Sequence, residues 1–338
     1  MVAPMRVWQI EGEGGIDALS LAERPRPEAG PGEVLVRMTA NSINFRDLAT
    51  IRDPLSRGFP LPRIPNSDGA GIVEAVGSGV TTVAPGAAVT TTFFQDWEDG
   101  GCTPTAMASA LGGAREGVLA EYVVLDAGGV LPQVPHLSGE EAACLPCAAL
   151  TAWNAIFETA ALRPGDTVLL LGTGGVSMFA LQFAAAAGIR PIITSSSDRK
   201  LREAAALGAA GTINYRDVDD WPAAVRDLTD GRGADGVVEV GGPGTLQKSL
   251  DAVRVGGTVA LIGILTGGTI DPLPVMRKSV RLNGVYVGSR RMFRDMNRAI
   301  EKHAIRPRIS EVVPFDETRE AYRLMASQQH IGKIVIKF

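Results

Sequence analysis

The sequence GDTVLLLGTGGVSMFALQFAAAAG, residues 165–188, decides the fold of the C-terminal half of the chain. A short run of apolar residues ends at a glycine-rich turn, and a longer apolar segment with helical spacing follows directly. This order predicts a buried strand over 167–171, a tight turn at Gly172, Gly174 and Gly175, and a helix that begins in the turn. Strand-like and helix-like segments then alternate along the chain, which predicts a doubly wound α/β domain with a parallel sheet.

The glycine-rich turn has the composition of a dinucleotide-binding turn. Backbone N–H groups at a helix start, together with the helix dipole, form a site suited to a diphosphate. The pattern G-x-G-x-x-G expects a third glycine where Ser177 stands, but serine is also small enough for close packing of helix and strand. The alternative is an ordinary turn without a ligand. The predicted cofactor contacts in the turn are Gly172, Gly174, Gly175 and Val176.

The end of the next predicted strand indicates which dinucleotide is bound. An NAD-selective site carries a carboxylate there for the ribose hydroxyls. Here the strand ends in Ser195 and Ser196, and Arg199 and Lys200 follow. A cation within about 4 Å of a phosphate gains roughly 4 kcal/mol at a surface-like dielectric, so these residues favour NADPH over NADH. Asp198 could instead serve a ribose, or it could be the helix N-cap.

Length and composition limit the class of protein. A chain of 338 residues favours two domains, and 45% hydrophobic with 21% charged residues fits a soluble globular protein. The net charge of −4, with both signs mixed, predicts no nucleic-acid partner and no membrane partner. No apolar run approaches the roughly 20 residues of a membrane span, and the N-terminal residues lack the apolar core of a signal peptide. With three cysteines and no disulfide framework, we expect a cytoplasmic enzyme.

The front third of the chain and its last residues have strand character. Apolar alternation between glycines and prolines predicts a mostly β, barrel-like domain. Ser138 stands three residues before Glu141, a capping-box spacing that predicts a helix there. The terminal segment HIGKIVIKF, residues 330–338, is a predicted strand without a following helix. We therefore expect it to return to the first domain.

Five motifs in a fixed order connect the chain to a known family. They are NSINFRDL (41–48), PRIPNSDGAGIVEAVGSGV (62–80), GVLAEYVVL (117–125), CLPCAALTAWNAI (144–156) and the glycine-rich turn. With these motifs the chain resembles the medium-chain dehydrogenase/reductase superfamily over essentially its full length. The resemblance implies a GroES-like β-rich catalytic domain over 1–148 and 289–338, and a Rossmann domain over 149–288. It also implies a homodimer, in which the segment VRLNGVYVG (280–288) could be an edge strand or an internal one.

The positions that bind metal in zinc-dependent members differ in this chain. By resemblance, the catalytic zinc positions are occupied by Asn44, Ser67 and Cys147. Zn²⁺ needs at least three protein ligands at a catalytic site, and neither Asn nor Ser restores them. The structural zinc of the superfamily needs four closely spaced cysteines, whereas residues 93–117 contain only Cys102. We therefore expect no zinc.

The Cys144-Leu-Pro-Cys147 pair has two interpretations. A redox-active or metal-binding pair would need a helix N-terminus on a suitable scaffold, or a second pair. This single pair lies inside an apolar, helix-forming stretch. We interpret the two residues as buried core thiols.

The remaining similarity is to the zinc-free, quinone oxidoreductase-like branch of the superfamily. It implies that Asn44 lies beside the nicotinamide and that Thr151 faces the nicotinamide riboside. It further implies ring contacts from Ile264 and Leu265, 2′-phosphate contacts from Lys200 and Tyr215, and a basic group near the cofactor diphosphate at Lys333. Tyr215 has an alternative interpretation as a core aromatic residue. Ala49 occupies the position where some quinone reductases carry an active-site tyrosine, so no tyrosine acid is carried over.

The predicted absence of a metal bears on the reaction. Hydride transfer to a simple aldehyde leaves charge on one alkoxide, which a zinc ion stabilises, whereas a quinone or enone spreads that charge. Hydrogen-bond donors can then suffice, each worth about 3 kcal/mol. The candidate donors are Asn44 and Ser67, which could instead orient the loop and cofactor, and Asp47 is expected to be a structural acceptor.

We therefore predict an NADPH-dependent, zinc-independent oxidoreductase that reduces a quinone or an enone, including enoyl thioesters. One alternative is a zinc-independent alcohol or aldehyde dehydrogenase. A second alternative is a non-catalytic NADPH-binding protein.

Overall fold

A computed structural model describes residues 4–56, 58–263 and 265–338. The chain forms two compact units. Unit 1 comprises Met1–Ala148 and Gly288–Phe338, and unit 2 comprises Ala149–Val287. No helix within the described ranges is long and apolar enough to cross a membrane.

The first part of unit 1 is mostly β-structure, because short apolar runs are separated by glycine and proline turns. Its strands are β1 (Pro4–Ile10), β2 (Leu19–Pro25), β3 (Glu33–Ile43), β4 (Asp68–Val76), β5 (Ala88–Thr91), β6 (Tyr122–Asp126) and β7 (Val130–Pro132). Its helices are α1 (Phe45–Arg52), α2 (Pro104–Met107) and α3 (Gly139–Ala142). Strand β3 pairs antiparallel with both β4 and β6. Buried Val, Leu and Ile side chains from these strands form the core of the unit.

Unit 2 alternates strands and helices as its sequence pattern predicts. Its strands are β8 (Thr167–Leu170), β9 (Arg190–Ser195), β10 (Gly211–Asn214), β11 (Ala234–Glu239), β12 (Val253–Leu261) and β13 (Arg281–Gly284). Its helices are α4 (Leu150–Trp153), α5 (Gly175–Ala186), α6 (Asp198–Ala206), α7 (Trp221–Asp227), α8 (Pro243–Ala252) and α9 (Leu273–Arg277).

The strands of unit 2 form one parallel sheet in the order β10-β9-β8-β11-β12-β13. The strand order reverses between β8 and β11, and ligands of doubly wound sheets bind at the carboxyl ends of the strands at such a reversal. The predicted fold class, a GroES-like β-rich domain with a doubly wound Rossmann domain, is confirmed. The sequence left open whether the segment 280–288 forms an edge strand or an internal strand. Within the described residues, its strand β13 lies at the edge of this sheet.

The C-terminal residues complete unit 1. They form α10 (Arg290–Lys302), β14 (Ile309–Pro314), α11 (Thr318–Ser327) and β15 (Lys333–Lys337). Strand β15 pairs antiparallel with β3, with Ile334 opposite Ile43, and parallel with β14. The prediction that the terminal strand returns to the first domain is confirmed, and this pairing brings Lys333 to the end of β3.

The helical stretch after Ser138 begins as predicted but is not uniform. The Ser138 hydroxyl accepts from the Glu141 N–H at 3.2 Å, and the Glu141 carboxylate accepts from the Ser138 N–H at 2.8 Å, which confirms the capping box. Two π-helical turns, Leu145–Ala149 and Asn154–Thr159, interrupt the regular helix. Such turns are rare and occur frequently at functional sites.

Candidate active site

The backbone of Asn44, a predicted catalytic donor, is fixed by a buried carboxylate. Asn44 precedes α1, and its backbone N–H donates to Oδ2 of Asp47 at 2.9 Å. Burial raises the pKa of Asp47, while the Arg46 guanidinium opposes that shift. The expectation that Asp47 is a structural acceptor is confirmed, because it holds the chain at the point where Asn44 leaves β3.

The side chain of Asn44 is held by an ammonium group. Lys333 is buried, and its Nζ donates to the carbonyl oxygen of Ile43 at 2.8 Å and to Oδ1 of Asn44 at 2.5 Å. Sequence reasoning selected Lys333 only for the cofactor diphosphate, which stays a prediction. The contact between Lys333 and Asn44 joins residues 289 positions apart.

Asp68, which is absent from the predicted site residues, completes the cluster. It is fully buried, and Oδ1 accepts from the Ser67 hydroxyl at 2.7 Å while Oδ2 accepts from the Cys147 backbone N–H at 3.1 Å. Nζ of Lys333 lies 3.9 Å from Oδ2. Burial raises the pKa of Asp68, and the Lys333 charge opposes that shift. Because Ser67 is itself fully buried and donates to Asp68, this geometry favours its orienting role over a role as donor to an acceptor.

The amide nitrogen of Asn44 is the unused donor of the cluster. The residue is 8% exposed, and Nδ2 has no hydrogen-bond partner among the described residues, although it lies near enough to Asp68 to lower that carboxyl's pKa. A buried donor without a partner costs about 1–3 kcal/mol. An oxygen atom of a bound ligand would satisfy it.

The residues at the family's catalytic zinc positions do not fit a zinc ion. The oxygen of Asn44 faces an ammonium group, and the Ser67 hydroxyl is bonded to Asp68, so Cys147 alone offers a suitable donor. No group of three or more His, Cys, Asp or Glu side chains that could hold a metal occurs within residues 4–56, 58–263 and 265–338.

The two thiols of this region differ in exposure. Burial raises the pKa of Cys144 to about 12, and Cys144 is a buried core thiol as interpreted from the sequence. Cys147 is half-buried, and burial raises the pKa of its thiol as well, so it is an enclosed thiol but a less deeply buried one than Cys144.

The glycine-rich turn of unit 2 has the geometry of a diphosphate cradle. Gly172 adopts φ +69°, and a Cβ atom on Gly172 or Gly174 would meet nothing within 4 Å, so open space lies above the turn. Gly174 precedes α5 and offers no side chain to cap it, which leaves the first N–H groups of the helix for a ligand. The Ser177 hydroxyl donates to the carbonyl oxygen of Leu171 at 2.6 Å. The buried serine thus replaces the third glycine by bonding to the strand it packs on.

Ser195 and Tyr215, both predicted to lie at the adenosine end, are brought together. The backbone N–H of Tyr215 donates to the carbonyl oxygen of Ser195 at 3.1 Å. Tyr215 is 44% exposed, so its alternative interpretation as a core aromatic residue is wrong. Ser195 is buried, and its hydroxyl accepts from the Ser197 N–H at 3.3 Å. Ser196 is half-buried beside it.

The charged residues that follow lie on α6. Lys200 is half-buried, and burial together with the charge of Arg199 lowers its pKa. Arg199 pairs with Glu203 at 2.6 Å. Asp198 accepts from Nδ2 of Asn214 at 2.8 Å and is the first helical residue, so the N-cap interpretation is wrong, since Ser197 holds that position.

The remaining predicted cofactor contacts are distributed over unit 2. Thr151 is buried in α4, and Val176 lies half-buried in the first turn of α5. Leu265 is 42% exposed after β12, and Ile264 lies outside the described residues.

Sequence reasoning also missed Glu239, the fully buried last residue of β11. Its carboxylate accepts from the N–H groups of Gly241 at 2.7 Å and Gly242 at 3.1 Å, and from the Thr245 hydroxyl at 2.6 Å. The Ser249 hydroxyl also donates to it. This carboxylate shapes the loop at the carboxyl edge of the sheet. A single acid at the end of an otherwise apolar strand, GVVEV, was the available signal.

Comparisons with known families and proteins agree with this architecture. The family model described as alcohol dehydrogenase GroES-like domain matches residues 30–136, and the one described as zinc-binding dehydrogenase matches residues 175–302. A zinc-type alcohol dehydrogenase-like protein of Schizosaccharomyces pombe is 44% identical, with 96% of each chain covered. A 2-haloacrylate reductase of a Burkholderia species is 30% identical, with 97% of each chain covered.

Two solved structures are similar over nearly the whole chain. A putative alcohol dehydrogenase from Sinorhizobium meliloti has a TM-score of 0.93 at 40% identity, with both chains fully covered. A crotonyl-CoA carboxylase/reductase in complex with NADP has a TM-score of 0.87 at 27% identity, covering 99% of this chain and 94% of the other.

Proposed function

The chain belongs to the medium-chain dehydrogenase/reductase superfamily as an NAD(P)-dependent oxidoreductase, and we propose that it uses NADPH to reduce a conjugated carbonyl compound, a quinone or an enone, without zinc. When bound, NADPH supplies the hydride. The cluster of Asn44, Lys333 and Asp68 supplies a fixed amide donor for the oxygen that accumulates charge.

The observation that carries this proposal is the donor set at the family's catalytic metal position. The three positions hold the Asn44 amide, whose oxygen faces the Lys333 ammonium group, the Ser67 hydroxyl, which is bonded to Asp68, and the Cys147 thiol, and only the thiol suits zinc. A conjugated acceptor disperses the charge it receives, so an amide donor worth about 3 kcal/mol can serve where an isolated alkoxide would need a metal. Two relatives support the acceptor class, because their names, 2-haloacrylate reductase and crotonyl-CoA carboxylase/reductase, specify conjugated double bonds.

The proposed coenzyme is NADPH rather than NADH. At the end of β9 the chain presents Ser195 and Ser196 instead of a carboxylate; the backbone of Tyr215 is bonded to Ser195, and Lys200 lies in the first turn of α6, which follows. The solved relative in complex with NADP supports this choice. We further propose that Thr151, Ile264 and Leu265 contact the nicotinamide end, as the resemblance implies.

We also propose that the protein is a homodimer. Among the residues that the structure describes, no strand pairs with the outer side of the edge strand β13, and two large apolar side chains of the same unit, Val255 and Met276, are each 67% exposed. Edge strands of this kind are suited to pairing with another chain. Sedimentation analysis of the purified protein tests this proposal.

The function is tested by measuring oxidation of NADPH and NADH against a panel of quinones, enones, saturated aldehydes and alcohols. We expect NADPH oxidation with quinones or enones, and the same rates after exhaustive chelation. Turnover of saturated aldehydes alone would indicate the alternative alcohol or aldehyde dehydrogenase. Tight NADPH binding without turnover of any acceptor would indicate a binding protein.

The coenzyme assignment is tested by Lys200→Ala. We expect the KM for NADPH to rise about 10-fold, equivalent to about 1.4 kcal/mol, with little change for NADH. Lys278→Ala is the matched control, because Lys278 is also half-buried in unit 2 but donates to the carbonyl oxygens of Leu250 and Asp251. Equal changes in the KM for both coenzymes in Lys200→Ala would refute the assignment.

A further inference from the structure

We propose that Lys333 is a positioning residue of this reaction, because its ammonium group holds Oδ1 of Asn44 and so leaves the amide N–H groups of Asn44 as the donors available to an acceptor. The proposal rests on the proposed function and replaces the predicted contact of Lys333 with the cofactor diphosphate.

The first step concerns the direction of the Asn44 amide. An ammonium group only donates hydrogen bonds, so the atom of Asn44 that faces Nζ of Lys333 at 2.5 Å must be the oxygen Oδ1. Nδ2 is therefore on the other side of the amide. Lys333 thereby removes the ambiguity between the two orientations that an asparagine side chain otherwise has.

The second step concerns the rigidity of both partners. Lys333 is 3% exposed, and its second hydrogen bond, to the carbonyl oxygen of Ile43, ties it to the residue before Asn44. The backbone N–H of Asn44 is bonded to Asp47, so neither the main chain nor the side chain of Asn44 can rotate freely. Donors that are fixed before the reaction stabilise developing charge without reorganisation.

The third step concerns the unused donor. Nδ2 of Asn44 is buried and lies near Asp68 but makes no hydrogen bond of ordinary geometry among the described residues, while the hydroxyl of Ser67 already donates to Asp68. Buried polar groups in folded proteins are nearly always hydrogen-bonded. The amide of Asn44 is therefore the group that the cluster leaves for a ligand oxygen, and Lys333 is the residue that holds it there.

The experiment is a double-mutant cycle of Asn44→Ala and Lys333→Met in an Asp68→Asn background. The Asp68→Asn background is used because it removes the buried carboxylate that would otherwise lose its partner when Lys333 is replaced. For each variant we measure kcat with a quinone or enone, and the Kd of NADPH by fluorescence titration. Lys337→Met is the matched control, because Lys337 lies on the same strand but is exposed and pairs with Glu140 at 2.7 Å.

We expect Lys333→Met to lower kcat about 50-fold while the Kd of NADPH changes less than twofold. In chains that already carry Asn44→Ala, the same substitution should change kcat less than about threefold, since the two residues act as one unit. Lys337→Met should leave both quantities unchanged. A 10-fold rise in the Kd of NADPH with kcat retained would overturn the proposal. It would also be overturned if the loss of kcat in the double variant equalled the product of the losses caused by Asn44→Ala and Lys333→Met separately.

A crystal structure of the Asp68→Asn/Lys333→Met variant decides the question even if Asp68→Asn alone lowers turnover. We expect the Asn44 amide to be rotated or present in two orientations, and an unchanged amide would refute the positioning role. If the wild-type enzyme reduced only saturated aldehydes, the proposed function would be refuted. The same cycle, run with that aldehyde, would still decide the role of Lys333.

Discussion

Unit 1 contains two charged clusters that differ in their contact with water. In the buried cluster, the side chains of Lys333 and Asp68 are 3% and 0% exposed and lie 3.9 Å apart. In the exposed cluster, the side chains of Glu98 and Arg294 are 54% and 48% exposed and lie 2.5 Å apart. The comparison is informative because, by resemblance, the two clusters occupy the regions where zinc-dependent relatives hold a catalytic and a structural ion.

The exposed cluster attaches the loop before α2 to helix α10. Arg290 contacts the Glu98 carboxylate at 2.5 Å and the carbonyl oxygen of Gln95 at 2.8 Å. Arg291 contacts Asp99 at 2.6 Å. The structure links these two segments through several ion pairs that share partners.

The difference shows what burial does to an ion pair. A buried charge has lost its hydration, so removing its partner leaves a large uncompensated cost. An exposed charge keeps its water, and an individual pair contributes little. The buried cluster should therefore respond sharply to single substitutions, and the exposed cluster weakly.

The largest expected effect is that of Lys333→Met on stability. We expect the free energy of unfolding to fall by about 3–5 kcal/mol, because Asp68 is left as an unpaired buried carboxylate. Adding Asp68→Asn should restore most of this loss. Urea unfolding of the two variants measures the effect, and a loss below about 1 kcal/mol in the single variant would contradict the contrast between the clusters.

An intermediate effect is expected at Asp235, whose side chain is 3% exposed while its partners Arg232 and Arg254 are 50% and 34% exposed. Burial alone raises its pKa, but hydrogen bonds from Arg232, the Thr167 N–H and Arg254 outweigh burial and lower the pKa to about 2. Because the folded pKa lies below the unfolded value of about 3.9, the stabilisation is complete above that value and is lost as pH falls toward 2.

The measurement is urea unfolding as a function of pH. Between about pH 4 and pH 2 this carboxylate should account for roughly 2 kcal/mol of lost stability, which Asp235→Asn should abolish. Asp219→Asn is the control, since Asp219 is fully exposed beside Lys248. An acid transition that is the same in Asp235→Asn and the wild type would count against this assignment.

The smallest effect is expected for Arg294→Gln in the exposed cluster, because both Arg294 and its partner Glu98 are about half exposed. We expect a loss of about 1 kcal/mol or less, which shrinks further in 1 M salt because exposed pairs are screened. Glu301→Gln, on the exposed side of the same helix α10, is the control and should have no effect. A loss above about 2 kcal/mol that salt does not change would show that the exposed cluster behaves like the buried one.

Much of the fold could be predicted because its signals are local. The apolar run that ends at Gly172 and the capping box at Ser138 each act within a few residues, and both are seen in the structure. Local signals did not predict the details of the structure where tertiary contacts also determine the backbone. The regular helix after Ser138 is interrupted by two π-helical turns, and a hydrogen bond to the carbonyl oxygen of Ser195 holds the backbone of Tyr215 at the end of β9.

The residues of the candidate site also fall into those that local signals identified and those that depend on tertiary contacts. Sequence alone identified Asn44 and the glycine-rich turn, because a motif and its flanking elements lie within one short segment. It could not pair Lys333 with Asn44 or Asp68, since that contact exists only after β15 has joined β3 in one register. Burial and the strength of a charge depend on the folded surroundings of an atom. For that reason residue types could indicate which groups are present, while only the tertiary structure decided which of them are left to act on a ligand.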